Sequence, residues 1–270
     1  MLQVNVSGMD VAYEDRGDGP PLVLLHGFLS DHRDWRLQVD ALSDEFRVIA
    51  WEAPGCGLSP DPPETWRMPE YANCLAAFLD ALGIGTAHLV GLSWGGTLAQ
   101  EFYRNHAGRV RSLVLADTYT GWLASLGEQA GRERLELCLR LSTGPAADLV
   151  SALIGGMFSP TVSGAAISEL ATIVADFHPS GFRTMSHAVA EVDTRDVWPS
   201  ITVPTLLLWG RDDARSPLSV AEEFRAGIPH AQLVVIPGGH VSNMESPKEF
   251  NAAVRDFITS VGAAKLQPAS

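Results

Sequence analysis

The sequence predicts an α/β fold with a mostly parallel central sheet, flanking helices and an inserted helical cap. Two observations support this. In the first and last parts of the chain, short apolar, β-branched runs alternate with longer stretches of helical periodicity, a pattern typical of parallel strands joined by helices. Between about Gly121 and Pro199 this alternation stops, and helical pieces separated by Gly, Pro and Ser take its place.

Six apolar runs predict buried strands, and helical stretches such as MPEYANCLAAFLDALG lie between them. The runs are PLVLLHG (21–27), FRVIAWE (46–52), AHLVGLS (87–93), VRSLVLAD (110–117), PTLLLWG (204–210) and AQLVVIPG (231–238). No element is assigned to the polar segment before Pro21. The last helix is predicted in SPKEFNAAVRDFITSVG, and the tail AAKLQPAS is expected to be a frayed terminus.

The domain organisation follows from the same pattern. Residues 1–120 and 200–270 are expected to form the core, and residues 121–199, here called the inserted segment, are expected to form the helical cap. A chain of 270 residues, 46% of them hydrophobic, has enough apolar material for one large core that carries an insertion.

The charge balance argues against a nucleic-acid surface. The chain has 19 basic and 32 acidic residues, a formal net charge of −13, whereas phosphate binding needs clustered Lys and Arg. The expected partner is a small molecule.

Three cysteines, Cys56, Cys74 and Cys138, are few and widely spaced, so they predict neither a disulfide framework nor a zinc site. A reducing compartment is expected. The N-terminal segment has no basic stretch followed by an apolar one, and no window approaches the roughly 20 apolar residues that span a bilayer. These features predict a cytoplasmic protein without a membrane anchor, and they leave the oligomeric state open.

The strongest local signal for chemistry is Gly91-Leu92-Ser93-Trp94-Gly95, which follows an apolar strand and precedes the helical stretch GGTLAQEFYRNH. Strand, turn and helix in this order form a nucleophile elbow, in which a tight turn exposes the serine hydroxyl. Glycines two before and two after the serine are expected because Cβ atoms there would clash with neighbouring backbone. The motif therefore predicts Ser93 as a nucleophile.

A serine nucleophile needs a general base within hydrogen-bond reach, and a third group that orients the base. His240 follows the last predicted strand in the Gly-rich loop PGGHVSNMESP, which places it at the carboxyl edge of the sheet, where ligands bind in open α/β folds. It is the predicted base. The remaining candidates lie within a strand, in polar turns or in the inserted segment, and they are His88, His106, His230, His178 and His187.

Three aspartates compete for the role of the orienting acid. Asp213 lies in WGRDDARSP just beyond a predicted strand, and it gives the chain order Ser, Asp, His. Asp212 is adjacent, and Asp117 ends the strand VRSLVLAD. Neighbouring residues on a turn point in different directions, so only one of Asp212 and Asp213 would meet His240, and spacing alone does not say which.

Five segments together resemble the α/β-hydrolase family, in particular its branch of esterases, enol-lactonases and cofactor-free haloperoxidases. They are HGFLSDHRDW, EAPGCGLS, GLSWGG, GRDDARSP and GGHVSNMESP, and the resemblance covers nearly the whole chain apart from the inserted segment. It implies the α/β-hydrolase fold. It also implies that the acid is the residue three after Gly210 and four before Pro217, which is Asp213, and that His240 is the catalytic histidine.

The same resemblance implies an oxyanion hole formed by two backbone N–H groups, those of Phe28 and Trp94, with His26 supporting the loop rather than taking part in the reaction. One departure is Glu52, where the family usually has Asp, in a loop that is mainly structural. No cofactor is expected. No metal is expected either, because the His, Cys and carboxylate residues show no ligand spacing.

The predicted reaction is hydrolysis of a carboxylic ester or lactone through an acyl-enzyme. Aromatic and apolar residues suggest a small, largely apolar substrate, and the candidates for binding it, besides Phe28 and Trp94, are Trp122, Phe158, Phe177, Phe182 and Met185. Each of them could instead form the core of the inserted segment.

Other functions use the same fold. The same triad would serve a carbon–carbon bond hydrolase, or an acyltransferase or perhydrolase that passes the acyl group to an acceptor other than water. A remote alternative is a non-catalytic ligand receptor, which would neither hydrolyse esters nor react with a fluorophosphonate.

Overall fold

The computed structural model of the protein describes residues 1–264, so most of the tail AAKLQPAS lies outside the described residues. Its centre is an eight-stranded sheet in the order β1-β2-β4-β3-β5-β6-β7-β8. The strands are β1 (Leu2–Val6), β2 (Met9–Arg16), β3 (Pro21–Leu25), β4 (Arg47–Trp51), β5 (Ala87–Leu92), β6 (Val110–Ala116), β7 (Thr205–Gly210) and β8 (Gln232–Ile236). The six strands from β3 to β8 pair in parallel, each starting and ending within two residues of its predicted bounds.

β1 and β2 form an antiparallel hairpin that the sequence analysis did not predict. Ser7 and Gly8 turn the chain between them with φ of 52° and 92°, and β2 pairs antiparallel with β4. Most residues of β1 are exposed or half-buried. An antiparallel edge strand with a solvated face lacks the continuous apolar run of a buried parallel strand, which is why this segment reads as polar.

Helices pack against the sheet, and the hydrophobic core lies between the helices and the strands. α1 (Arg36–Leu42) and α2 (Met68–Ala81) come before β5, and α3 (Trp94–His106) follows it. α2 packs against α3, and both contact the sheet. The buried faces of these helices enclose large side chains such as Phe78 and Phe102, which are fully inaccessible to solvent.

Five helices lie between β6 and β7, within the inserted segment. They are α4 (Trp122–Leu126), α5 (Glu128–Leu141), α6 (Ala146–Ile154), α7 (Gly164–Ala175) and α8 (Pro179–Glu191). α5 packs on α4 and α8, and α6 packs on α7. Ion pairs such as Arg36 with Glu169 (3.0 Å) and Arg67 with Glu191 (2.7 Å) join this segment to the core, but partly exposed pairs of this kind add little stability.

The C-terminal part contains α9 (Leu218–Gly227), α10 (Ser242–Glu245) and α11 (Pro247–Ala264), the last of which packs against α1. Within residues 1–264, no helix combines the length and apolar character needed to cross a membrane.

Candidate active site

Ser93 lies at the tight turn between β5 and α3, with φ of 51°, a left-handed conformation that is rare outside glycine. A Cβ atom on Gly91 would lie 2.4 Å from the carbonyl oxygen of Gly95, and one on Gly95 would lie 2.1 Å from that of Leu25. The flanking glycines are therefore required by close backbone approach, as the motif predicts. The turn is also held by Ser93 N, which donates to Ala116 O at 2.8 Å.

The structure brings Ser93, His240 and Asp213 into one hydrogen-bonded chain. His240 Nε2 lies 2.8 Å from Ser93 Oγ, and His240 Nδ1 lies 2.8 Å from Asp213 Oδ2. All three residues are buried. Asp213 Oδ1 accepts backbone N–H groups from Arg215 and Ser216 at 2.8 and 2.9 Å, which hold the carboxylate in position. This is the geometry of a nucleophile, a base and an orienting acid.

The two rival aspartates are placed elsewhere. Asp212 is exposed. Asp117 is buried, but it accepts Gly210 N–H at 2.7 Å and the Ser242 hydroxyl at 2.6 Å rather than bonding to His240. Burial and the neighbouring charge of Asp213 raise the pKa of Asp117 well above its usual value. Asp117 is thus bonded away from His240, whereas the carboxylate of Asp213 faces it.

The loop after β3 carries the predicted second oxyanion donor. A Cβ atom at Gly27 would lie 3.8 Å from Ser93 Cβ, so this loop passes directly beside the serine. His26 supports the loop: Nδ1 lies 2.8 Å from Gly27 O, and Nε2 accepts Ala53 N–H at 3.0 Å. Burial lowers the pKa of His26, which favours the neutral ring. With its proton on Nδ1, the ring donates to Gly27 O and accepts from Ala53 N–H.

Two backbone N–H groups are candidates for the oxyanion hole. Trp94 is the first residue of α3, so its N–H has no acceptor within the helix. Phe28 directly follows Gly27 in the loop beside Ser93, and its ring lines the cavity above the serine. The loop and the helix N-terminus thus meet at Ser93, where the sequence analysis expects the two donors.

A largely apolar cavity opens over Ser93 and His240. Its walls come from the loop after β3 and from the inserted segment, and its apolar lining includes Phe28, Trp122, Leu153, Ile154, Met157, Leu170 and Val174. Of the five residues of the inserted segment predicted to bind substrate, Trp122 therefore lies at the cavity, where its ring packs edge-on against Phe28 at 5.3 Å.

The other four lie behind that lining, which differs from the prediction. Phe182 and Met185 have no solvent exposure; Phe182 packs between Phe28 and Phe177, and Met185 contacts Cys56. Phe177 and Phe158 are half-buried against the core and are not among the residues of the cavity wall. Aromatic character alone did not distinguish a residue facing the cavity from one facing the core.

Several lining residues were missed by the sequence analysis. Tyr119 follows β6, and its ring lies 5.7 Å from that of His240. Asp34, Arg134 and Arg215 place charged groups at an otherwise apolar surface. A signal for Arg134 was present, because the positions three and four residues away on α5 hold Gly131, Ala130, Leu137 and Cys138, so the helix offers it no acidic partner.

Asp34 is a buried carboxyl group on the cavity wall, beside the loop after β3. Burial raises the pKa of Asp34 to about 6, and hydrogen bonding involving Ser30 and Asn243 opposes the rise. The group therefore titrates in a range where most aspartates are fully ionised.

The loop that carries His240 is tied to the inserted segment. His240 N donates to Met157 O at 2.7 Å. Glu245 Oε2 accepts N–H groups from both Gly239 (2.9 Å) and Ser159 (3.0 Å). The position of the histidine therefore depends on residues 157–159 as well as on Asp213.

One cluster among the described residues has its ligand atoms close enough together to coordinate one metal ion. Asp31, His32 and Glu52 each place one ligand atom within 4.8 Å of the others. Both oxygens of Asp31 already accept hydrogen bonds from Arg33, and His32 Nδ1 bonds to Glu52. None of the three lines the cavity around Ser93, so the cluster has no part in the chemistry described above.

Comparison with known proteins agrees with this geometry. The profile of the alpha/beta hydrolase family matches residues 22–253. The chain belongs to this family. It is similar to 3-oxoadipate enol-lactonase 1 of Acinetobacter baylyi, with 28% identity over 263 residues that cover 96% of this chain and 94% of the relative.

Two further members of the family are of comparable similarity. The putative carbamate hydrolase RutD of Azorhizobium caulinodans is 30% identical over 260 residues, 93% of this chain and 96% of the relative. The solved structure of a thermophilic esterase from Thermogutta terrifontis superposes with a TM-score of 0.89 at 31% identity, covering 96% of this chain and 97% of the other. The predicted fold and the predicted class, an ester-acting hydrolase, are thereby confirmed.

Proposed function

We propose that this alpha/beta hydrolase cleaves a carboxylic ester or lactone of a small, largely apolar substrate through an acyl-enzyme on Ser93. The observation that carries the proposal is the chain of two 2.8 Å hydrogen bonds from Ser93 through His240 to Asp213, which ends at the floor of an apolar cavity. A serine hydroxyl is a weak nucleophile unless such a base accepts its proton.

Acylation begins when Ser93 Oγ attacks the carbonyl carbon and His240 Nε2 takes the hydroxyl proton. The carbonyl π electrons move to its oxygen, where the N–H groups of Phe28 and Trp94 stabilise the developing charge. Such donors typically contribute about 100- to 1,000-fold each to the rate. His240 then passes its proton to the alkoxide as the carbon–oxygen bond breaks, and Asp213 remains ionised and stabilises the imidazolium.

Deacylation repeats these roles with water. His240 takes a proton from water as its oxygen attacks the acyl carbon, and the proton returns to Ser93 Oγ when the acid leaves. In a lactone both products are one molecule, a hydroxy acid. The chemistry uses the side chains present and requires neither a metal nor an organic cofactor.

The inserted segment supplies much of the acyl-binding wall in this proposal and so acts as a cap. Trp122 and Phe28 meet over the serine, and the aliphatic side chains of Leu153, Ile154 and Met157 complete an apolar surface. A cavity of this kind favours short or medium-length acyl groups over bulky polar ones. We place the reaction in the cytoplasm, because all three cysteines are free thiols.

The test combines labelling with turnover. A fluorophosphonate should label Ser93 in the wild-type protein, and the same sample should hydrolyse p-nitrophenyl butanoate or a simple lactone with one acid released per bond broken. Adding methanol or hydrogen peroxide as a competing acceptor measures how the acyl-enzyme partitions. Absence of both labelling and hydrolysis would refute the proposal, whereas predominant transfer to the acceptor would identify an acyltransferase or perhydrolase.

A further inference from the structure

Two arginines reach the cavity over Ser93, although the protein as a whole carries a formal charge of −13. Arg134 comes from α5 of the inserted segment, and Arg215 comes from the loop after β7 that also carries Asp213. Cations are costly at an apolar wall unless an anion is close by.

Arg134 has no carboxylate partner among residues 1–264 that forms an ion pair with it. Its guanidinium carbon lies 4.9 Å from the ring centre of Trp122 and 5.6 Å from that of Tyr119. By contrast, Arg132 on the exposed face of the same helix pairs with Glu128 at 2.7 Å. The two rings hold the guanidinium in place, and the Tyr119 side chain hydrogen-bonds with it. A guanidinium has five N–H donors, so this contact leaves others to bind an anion.

Arg215 is fixed by the backbone of the inserted segment. Among residues 1–264 no carboxylate forms an ion pair with it, although the charge of Asp213 acts on it from a greater distance. Its Nη2 donates to the carbonyl oxygens of Leu153 and Gly155, while its buried Nε has no hydrogen-bond partner. Burial and the nearby guanidinium of Arg134 lower the pKa of Arg215. The two cations thus oppose each other, and an anion between them would relieve this repulsion.

Ser93 and both arginines line the same cavity, so one ligand can contact the serine and the guanidinium groups together. The Tyr119 ring contacts both groups, at 5.7 Å from the ring of His240 and 5.6 Å from the guanidinium of Arg134. Among residues 1–264, Asp34 is the acidic residue on the cavity wall, and its buried Oδ1 has no hydrogen-bond partner, so neither arginine pairs with it there. It does not neutralise the pair.

We propose that Arg134, assisted by the charge of Arg215, binds a carboxylate of the substrate, so that the protein prefers esters or lactones that carry an acid group several bonds from the reacting carbonyl. This inference rests on the proposed function and names the substrate class for it. The planar guanidinium matches a carboxylate through two parallel N–H···O bonds.

Three esters that differ by one group test the inference. Ethyl pentanoate is the neutral reference, monoethyl glutarate replaces its terminal methyl by a carboxylate on the acyl side, and pentanoyloxyacetate makes the same replacement on the alcohol side. Hydrolysis is followed by pH-stat titration. At least one anionic ester should show kcat/KM about 10- to 100-fold above ethyl pentanoate, the gain expected from a charge-assisted pair.

Variants then assign the preference to Arg134. In Arg134→Gln the ratio of kcat/KM for the anionic ester to that for ethyl pentanoate should fall about 10- to 100-fold, mainly through KM. Arg134→Lys should retain part of the ratio because the charge remains. Arg132→Gln, which removes the same charge from the exposed face of α5, should leave the ratio as in the wild type.

The outcomes separate the two proposals. If ethyl pentanoate is hydrolysed but neither anionic ester is preferred, or if Arg134→Gln does not lower the ratio, the carboxylate site is wrong and the serine hydrolase stands. If none of the three esters is hydrolysed and Ser93 is not labelled by a fluorophosphonate, both proposals fall.

Discussion

Replacing Asp213 by Asn tests the assignment of the acid more sharply than any other single change. Asp213 Oδ1 accepts two backbone N–H groups, from Arg215 and Ser216, and Oδ2 faces His240 Nδ1. In Asp213→Asn the amide oxygen must stay with the two N–H donors, because turning the NH₂ group toward them would set donor against donor. The NH₂ group therefore faces His240.

The magnitude follows from the tautomer of the histidine. An NH₂ group 2.8 Å from Nδ1 requires that nitrogen to be an acceptor, so the ring proton moves to Nε2. Nε2 then cannot take the proton of Ser93, from which it lies 2.8 Å. The loss expected when a triad histidine is held in the wrong tautomer is about 10,000-fold in kcat, or about 5 kcal/mol on the barrier.

The assay compares Asp213→Asn with Asp117→Asn by steady-state hydrolysis of p-nitrophenyl butanoate. Asn at position 117 keeps an oxygen that can accept Gly210 N–H, and the Ser242 hydroxyl can rotate to accept from its NH₂ group. Because Asp117 does not bond to His240, kcat should fall less than about tenfold. Far-UV circular dichroism verifies that both variants are folded. If Asp117→Asn loses most of the activity and Asp213→Asn keeps more than about one hundredth of it, the assignment of Asp213 as the orienting acid is wrong.

Three further predictions concern the serine, the elbow and the cavity wall. Ser93→Ala should abolish ester hydrolysis and fluorophosphonate labelling without unfolding the protein. Gly95→Ala should destabilise the protein by about 1–3 kcal/mol or more, because its Cβ would lie 2.1 Å from Leu25 O. Asp34→Asn should gain stability relative to the wild type as pH rises from 4 to 7, by up to about 3 kcal/mol, because burial raises the pKa of Asp34 to about 6.

Each of these has a measurement that decides it. If Ser93→Ala retains a tenth of wild-type activity, Ser93 is not the nucleophile. Gly108→Ala is the matched control for Gly95→Ala, since a Cβ there would meet nothing within 4 Å, and equal urea midpoints for the two variants would contradict the steric argument. Below about pH 4 the carboxyl group of Asp34 is protonated in both the folded and the unfolded wild-type protein, so its raised pKa costs no stability there. Between pH 4 and about 6 it ionises in the unfolded protein before it does in the folded one, and the wild type loses stability. A stability difference between Asp34→Asn and the wild type that does not change with pH would refute this prediction.

The parallel part of the sheet was predictable because strands buried on both faces read as continuous apolar runs. β1 and β2 were not predicted, because Leu2 and Gln3 are exposed and only Val6 of β1 is buried. The inserted segment could be recognised by the loss of the strand pattern, but helical periodicity does not reveal how its helices dock.

At the candidate site, too, local patterns could be predicted from the sequence, whereas contacts between distant residues could not. Ser93 and its glycines form a local motif in which Gly91 closely approaches Gly95, although Gly95 itself is confined by Leu25 on the neighbouring strand. The spacing within five residues was sufficient to identify the turn. Arg134 reaches the cavity only because α5 packs on α4 and α8 within the inserted segment, which depends on contacts between residues far apart in the sequence. Phe182 shows the converse: it was expected at the cavity, but the docking of α8 turns it into the core.

The hydrogen bonds between the histidine loop and the inserted segment have a consequence for turnover. Met157 O holds His240 N, and Glu245 joins Gly239 to Ser159, so any opening that lifts residues 157–159 also withdraws support from the base. In the proposed mechanism, the support of His240 is therefore complete only while residues 157–159 are docked on the histidine loop. If this end of the inserted segment opens to exchange substrate, binding and bond cleavage are expected to alternate.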